Sequence, residues 1–135
     1  MASIINSVEK ALYNLYTSSS LSSSLNVLKG IDDETKTGPL LIVAAGPARE
    51  DFPDSYVWHV STNLMVKMPM ADYTEDEMGT ACDQVFGMLL NEGTGLGAHT
   101  NDLAVYDIMV VNTNDAYSGD YNIQSLTCDI IAVNT

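Results

Sequence analysis

The stretch from Tyr56 to Met68 constrains the fold more than any other part of this chain. Tyr56, Trp58, Val60, Leu64, Val66 and Met68 fall on one side of an extended strand, while His59, Ser61, Asn63 and Lys67 fall on the other. Strict alternation over about a dozen residues describes a strand with one apolar face against a core, and Pro69 ends it. Such a strand requires partner strands and a layer to cover it. The remaining sequence supplies both.

Upstream, Ile4, Ile5, Val8, Ala11, Leu12, Leu15 and Tyr16 recur at spacings of three and four, which predicts an amphipathic helix with Ser3 as its N-cap. The serine tract Ser18–Ser24 reads as a frayed last turn or a linker. Leu25–Lys29 before Gly30 is a short strand candidate. Pro39–Ala45 is an uninterrupted apolar run, expected to be a strand buried on both faces and stopped by Gly46-Pro47. Ala48–Asp54 has the composition of a loop. Downstream, Thr74-Glu75-Asp76-Glu77 fits a capping box opening a second helix. Met78, Ala81, Cys82, Val85, Phe86 and Leu89 form its apolar stripe. Gly79 and Gly87 share a face there, as if packed closely on the sheet. Leu103–Val111 and Tyr121–Val133 read as strands, with Asn112–Gly119 as their connection. The expected fold is a single α+β domain over residues 1–135. It has a mostly antiparallel sheet of about four or five strands, two helices on one face, and the order α-β-β-β-α-β-β.

Composition narrows function. Eighteen Asp and Glu against five Lys and Arg give a net charge of −13, within a chain that is 46% apolar and therefore reads as folded. Phosphate neutralisation needs clustered cations, and Lys10, Lys29, Lys36, Arg49 and Lys67 are isolated, so nucleic-acid binding by that route is excluded. No stretch approaches the roughly 20 apolar residues of a membrane span, and the N-terminus lacks a signal-peptide pattern. The two cysteines, Cys82 and Cys128, read as buried thiols.

Chemistry-bearing motifs are few. Gly93-Thr94-Gly95-Leu96-Gly97 follows a helix, whereas a phosphate loop follows a strand and opens a helix. His59 has no Cys or second His beside it to share a metal, and His99 with Asp102 lacks a nucleophile motif. Asp72, Glu75, Asp76 and Glu77 lack the spacing of a calcium loop. The sequence therefore predicts no enzyme, with no catalytic, cofactor-binding or metal residues.

The element order resembles the tail-terminator or tail-completion (head–tail joining) proteins of tailed bacteriophages. The likeness rests on the helix Ile4–Tyr16, the weak strand ending at Gly30, and the acidic loop leading into Pro39-Leu40-Leu41-Ile42-Val43. It continues through the Trp-bearing strand Tyr56–Met68, the helix with Asp83-Gln84-Val85-Phe86-Gly87-Met88-Leu89-Leu90, and the C-terminal hairpin. The resemblance implies a structural virion protein made in the host cytoplasm. It would form a usually hexameric ring at the head–tail junction that caps the tail tube and passes double-stranded DNA without binding it specifically. Its partners would be itself, the tail tube protein and a neck or connector protein. Asp32, Asp33, Glu34, Glu50, Asp51 and Asp54 are the expected lumen or docking residues. The edge of Tyr121–Val133 and the helix Thr74–Leu90 are expected ring contacts. The alternatives are a head-completion or stopper ring of the neck, and an acidic DNA mimic that occupies a nucleic-acid-binding protein.

Overall fold

In the computed structural model, residues 3–30, 38–92 and 102–135 are described. The first helix, α1, spans Ile4–Thr17; Ser3 caps it, its Oγ accepting from the Asn6 N–H at 3.1 Å. Val8, Ala11, Leu12, Leu15 and Tyr16 are buried along its stripe. The serine tract then makes a single 3-10 turn, Ser20–Ser23. Its hydroxyls hold it in shape: Ser18, Ser19, Ser22, Ser23 and Ser24 each donate to the carbonyl three residues back. Neither fraying nor a linker describes the tract, because serine satisfies the orphan carbonyls of a helix end from within the turn.

Five strands follow: β1 (Asn26–Lys29), β2 (Leu40–Glu50), β3 (Trp58–Pro69), then, after helix α2 (Glu75–Glu92), β4 (Leu103–Ser118) and β5 (Tyr121–Asn134). Their order across the sheet is β1-β2-β3-β5-β4. The β1–β2 pair is parallel and the other pairs are antiparallel. The fold is α+β, two helices with a mixed, mostly antiparallel sheet.

Two strands outrun their sequence signals. β2 continues through Gly46 and Pro47 to Glu50, so Ala48–Glu50 is strand and not loop, paired with Val60, His59 and Trp58. The register shifts between Ala45 and Ala48. Proline has no N–H to give a ladder, and an unpaired bulge is where a strand tolerates it. Gly46 beside it takes a φ of +118, open to glycine. β4 likewise runs through the polar segment Asn112–Tyr117 to Ser118, leaving only a two-residue turn led by Gly119 at φ +60. An outermost strand needs no apolar alternation to remain paired with its one neighbour.

A strand expected at the edge lies inside. β5 pairs with β3 on one side and β4 on the other, so Tyr121–Val133 offers no edge for contact; β4 and β1 are the outer strands. The core joins Val8, Leu12 and Leu15 of α1 and Met78, Cys82, Val85 and Leu89 of α2 to same-side residues of the sheet, among them Leu41, Val43, Leu64, Val66, Leu126 and Ile130. Leu40 and Ile42, on the opposite side of β2, are buried too, so the first four residues of that strand are buried on both faces. The buried Tyr16 hydroxyl donates to the Val85 carbonyl at 2.7 Å, tying one helix to the other. The capping box forms as expected: the Glu77 N–H donates to Thr74 Oγ1 at 3.2 Å and the Thr74 N–H to Glu77 Oε1 at 3.0 Å. Gly79 and Gly87 do not pack closely on the sheet; a Cβ at either would meet nothing within 4 Å.

Candidate functional site

Among the candidate acids, Glu50, Asp51 and Asp54 come together at the tip of the β2–β3 hairpin. Asp32, Asp33 and Glu34 lie outside the described residues. Glu50 is the last residue of β2, and its Oε2 accepts from the Tyr56 N–H at 3.3 Å. The Asp51 N–H donates to the Val57 carbonyl at 2.8 Å, and Asp51 Oδ1 lies 2.9 Å from His59 Nε2 across the hairpin. Ser55 pins the loop from inside, its Oγ accepting from the Phe52 and Val57 N–H groups.

The tip also carries two exposed aromatics, one of which, Tyr56, periodicity misassigns. Tyr56 precedes β3 instead of continuing its core side; its φ is +60 and it is 72% exposed. Phe52 is 62% exposed, and Asp54 also has a positive φ, +62. Non-glycine residues held in this region store local strand-end strain, and such positions concentrate where a loop presents its side chains for a purpose. The available signal is Glu50-Asp51-Phe52-Pro53-Asp54-Ser55-Tyr56, aromatics interleaved with acids and a proline.

Beneath the tip lies a cavity of about 920 Å³ whose walls include Ile4, Ile5, Ala48, Tyr56, Trp58 and Asp102. Asp102 accepts from the Ser7 hydroxyl at 3.0 Å, and Ser3 Oγ is occupied as a helix cap. The walls are mostly apolar. His99, the other half of the drawn histidine–aspartate pair, lies outside the described residues.

The cysteines are chemically subdued. Burial, then the carboxylates of Asp115 and Asp83, push Cys82 up to about 12. Burial and Asp129 push Cys128 up to about 11. Thiols so raised remain protonated at neutral pH and make poor nucleophiles and ligands. Among the described residues no group of three or more His, Cys, Asp or Glu is arranged to hold a metal ion. No described helix is long and apolar enough to cross a membrane.

The second surface feature is β4 itself. Tyr106, Met109, Val110, Val111 and Tyr117 are each 46–64% exposed along this outer strand, which contains no Lys, Arg or Pro. The sequence marks Leu103–Val111 as strand, but nothing in its pattern separates Asn112–Ser118 from a hairpin loop.

No protein-family model matches the chain, and no curated protein matches it.

Proposed function

We propose that this chain is a structural protein that assembles with copies of itself into a ring at a phage head–tail junction, capping the tail tube and lining an acidic passage for DNA. The observation that carries the reading is the outer strand β4: sixteen residues long, with exposed apolar side chains, in a chain of net charge −13. Long edges invite strand pairing unless lysine, proline or bulges blunt them. β4 has no lysine or proline, and beyond its two register shifts, at Val105/Asp107 and Val110/Asn112, the segment Asn112–Ser118 is a regular edge. A surface this negative leaves a passing polyanion mobile, because affinity for DNA grows with each phosphate neutralised by a cation.

The architecture in this reading has two layers, with both helices on the core side of the sheet. That arrangement is supported by one buried cluster shared by α1, α2 and the same-side residues of β2, β3 and β5. The hairpin tip with Glu50, Asp51 and Asp54 then serves as a lumen or docking loop, its aromatics Phe52 and Tyr56 meeting a neighbouring layer of the tail.

Sedimentation of the purified protein, alone and with tail tubes, tests this. A ring-sized species, in solution or at tube ends, is expected. A chain that stays monomeric in both conditions overturns the reading, and one that pairs only with a basic nucleic-acid-binding protein is a DNA mimic. Reversing Glu50, Asp51 and Asp54 to lysine should leave the melting temperature close to the parent's while reducing genome passage or head joining. Normal infectivity of such particles would remove these acids from the lumen.

A further inference from the structure

We infer that the two outer edges of the sheet join head to tail: β4 of one copy pairs antiparallel with β1 of the next, Asp115 opposite Lys29 and Tyr117 opposite Val27. The inference rests on the ring reading and names its subunit contact.

Strand direction comes first. β1 runs with β2, β3 against them, β5 with them, and β4 against them. Rotation about an axis along the strands preserves direction, so a β4 edge meeting the next copy's β1 makes an antiparallel pair, the more stable kind per residue. A heterologous contact of this kind leaves no edge open once its rotation closes the ring.

Charge selects the partner edge. β4 carries Asp107 and Asp115 and no cation, whereas β1, Asn-Val-Leu-Lys, carries Lys29 and no acid. Pairing β4 with another β4 offers Asp115 no cation in any register, since the strand contains none. A register centred on Asp115 sets it against its own copy, and like charges directly opposite destabilise a sheet. The next copy's β1 supplies the opposite sign. Lys29 rests over the Tyr13 ring, 5.5 Å from its centroid, at the surface.

Faces and heights select the register. Lys29 and Val27 stand beside Val43 and Leu41, on the core side of the sheet. Asp115 stands beside Gln124, which stands beside Val66, again on the core side; Tyr117 follows through Asn122 and Met68. Asp107, beside Ile131, is on the other side. Asp115 is therefore the acid of β4 that Lys29 can meet without turning the sheet over. Traced through Leu41, Val66 and Gln124, Asp115 also lies at the height of Val27 in the sheet. A slide of two residues keeps every side chain on its face and brings Lys29 to Asp115, and closed sheets stagger by such steps. The same slide sets Val27 against Tyr117, which is 64% exposed in the single chain.

The test is a pair of cysteines, Val27→Cys with Tyr117→Cys. Opposed residues on antiparallel strands have Cα atoms about 4.5–5.5 Å apart, within the span of a disulfide. Mild oxidation should convert the double variant into a ladder of covalent oligomers on a non-reducing gel, with each single variant remaining a monomer there. Exchanging charges adds a second readout: Lys29→Asp or Asp115→Lys alone should reduce the ring-sized species at least several-fold, and the two together should restore it. A ring-sized species without a ladder overturns the joint and leaves the ring standing. Covalent dimers from Tyr117→Cys alone show β4 pairing with β4 and overturn it as well. A chain that sediments as a monomer, alone and with tubes, removes the ring and the joint with it.

Discussion

Replacing Tyr16 with phenylalanine removes a single oxygen that links the two helices. The hydroxyl is fully buried and donates to the Val85 carbonyl at 2.7 Å. That carbonyl lies inside α2 and retains its helical bond from the N–H four residues on, so the substitution orphans no acceptor. The cost is then the net worth of one buried hydrogen bond, about 0.5–1.5 kcal/mol. For 135 residues the unfolding entropy is about 0.28 kcal/mol per kelvin, so Tyr16→Phe should lower the melting temperature by about 2–5 °C. Tyr16→Ala also empties the space of the ring, which adds a cavity and brings the loss to about 3–5 kcal/mol, or about 10–18 °C. Tyr106, 61% exposed on β4, is the control: Tyr106→Phe should move nothing. Thermal unfolding followed by circular dichroism reads all three. A Tyr16→Phe protein melting within about 1 °C of the parent would show that the bond between the helices carries no stability. One melting as low as Tyr16→Ala would show that α1 and α2 separate once it is lost.

Gly79→Ala and Gly87→Ala should each raise stability by up to about 1 kcal/mol, because both sit in a helix interior and a Cβ there meets open space; a lower melting temperature would mean that something packs on those positions after all. Stability should fall as pH rises above 9, the ordinary thiol value, because the unfolded chain then releases two protons that native Cys82 and Cys128 hold until about 12 and about 11. Below 9 both states keep them and these groups add no slope. Cys82→Ala with Cys128→Ala should flatten the decline between pH 9 and 11 relative to the parent, and identical pH profiles for the two proteins would count against the burial argument.

What the sequence makes legible is whatever repeats with a period. The core side of β3 follows from alternation, α1 from its stripe, and the start of α2 from Thr74 and Glu77. The misreadings share a cause: the residues concerned answer to one neighbour and not to a layer. Pro47 signals a stop, yet its missing N–H falls in a bulge where no partner is waiting. Asn112–Tyr117 is as polar as a loop, yet β5 alone holds it in the ladder. Tyr56 continues the alternation on paper, but the Glu50 carboxylate takes its N–H and the chain turns out before β3 begins. The hairpin acids Glu50, Asp51 and Asp54 were visible as a cluster. Their companionship with Phe52, Tyr56 and His59 depends on chain geometry that no spacing encodes.

An edge strand without lysine or proline is a hazard in most chains, and here the hazard is governed by charge. Each copy repels the next through a net −13, so collision in a wrong orientation is unproductive. At physiological salt that repulsion reaches only about 8 Å, which lets two edges approach once they are nearly aligned. Within that distance the local pairs decide. β4 against β4 offers Asp115 no cation, while β4 against β1 brings Asp115 to Lys29 and Tyr117 to Val27. In the proposed ring, the same surplus of carboxylates that would keep DNA from adhering also discriminates among strand pairings. It follows that lowering the salt should strengthen the general repulsion more than the single ion pair and disperse the proposed ring. An assembly whose size does not change between low and physiological salt would show that repulsion between copies does not govern it.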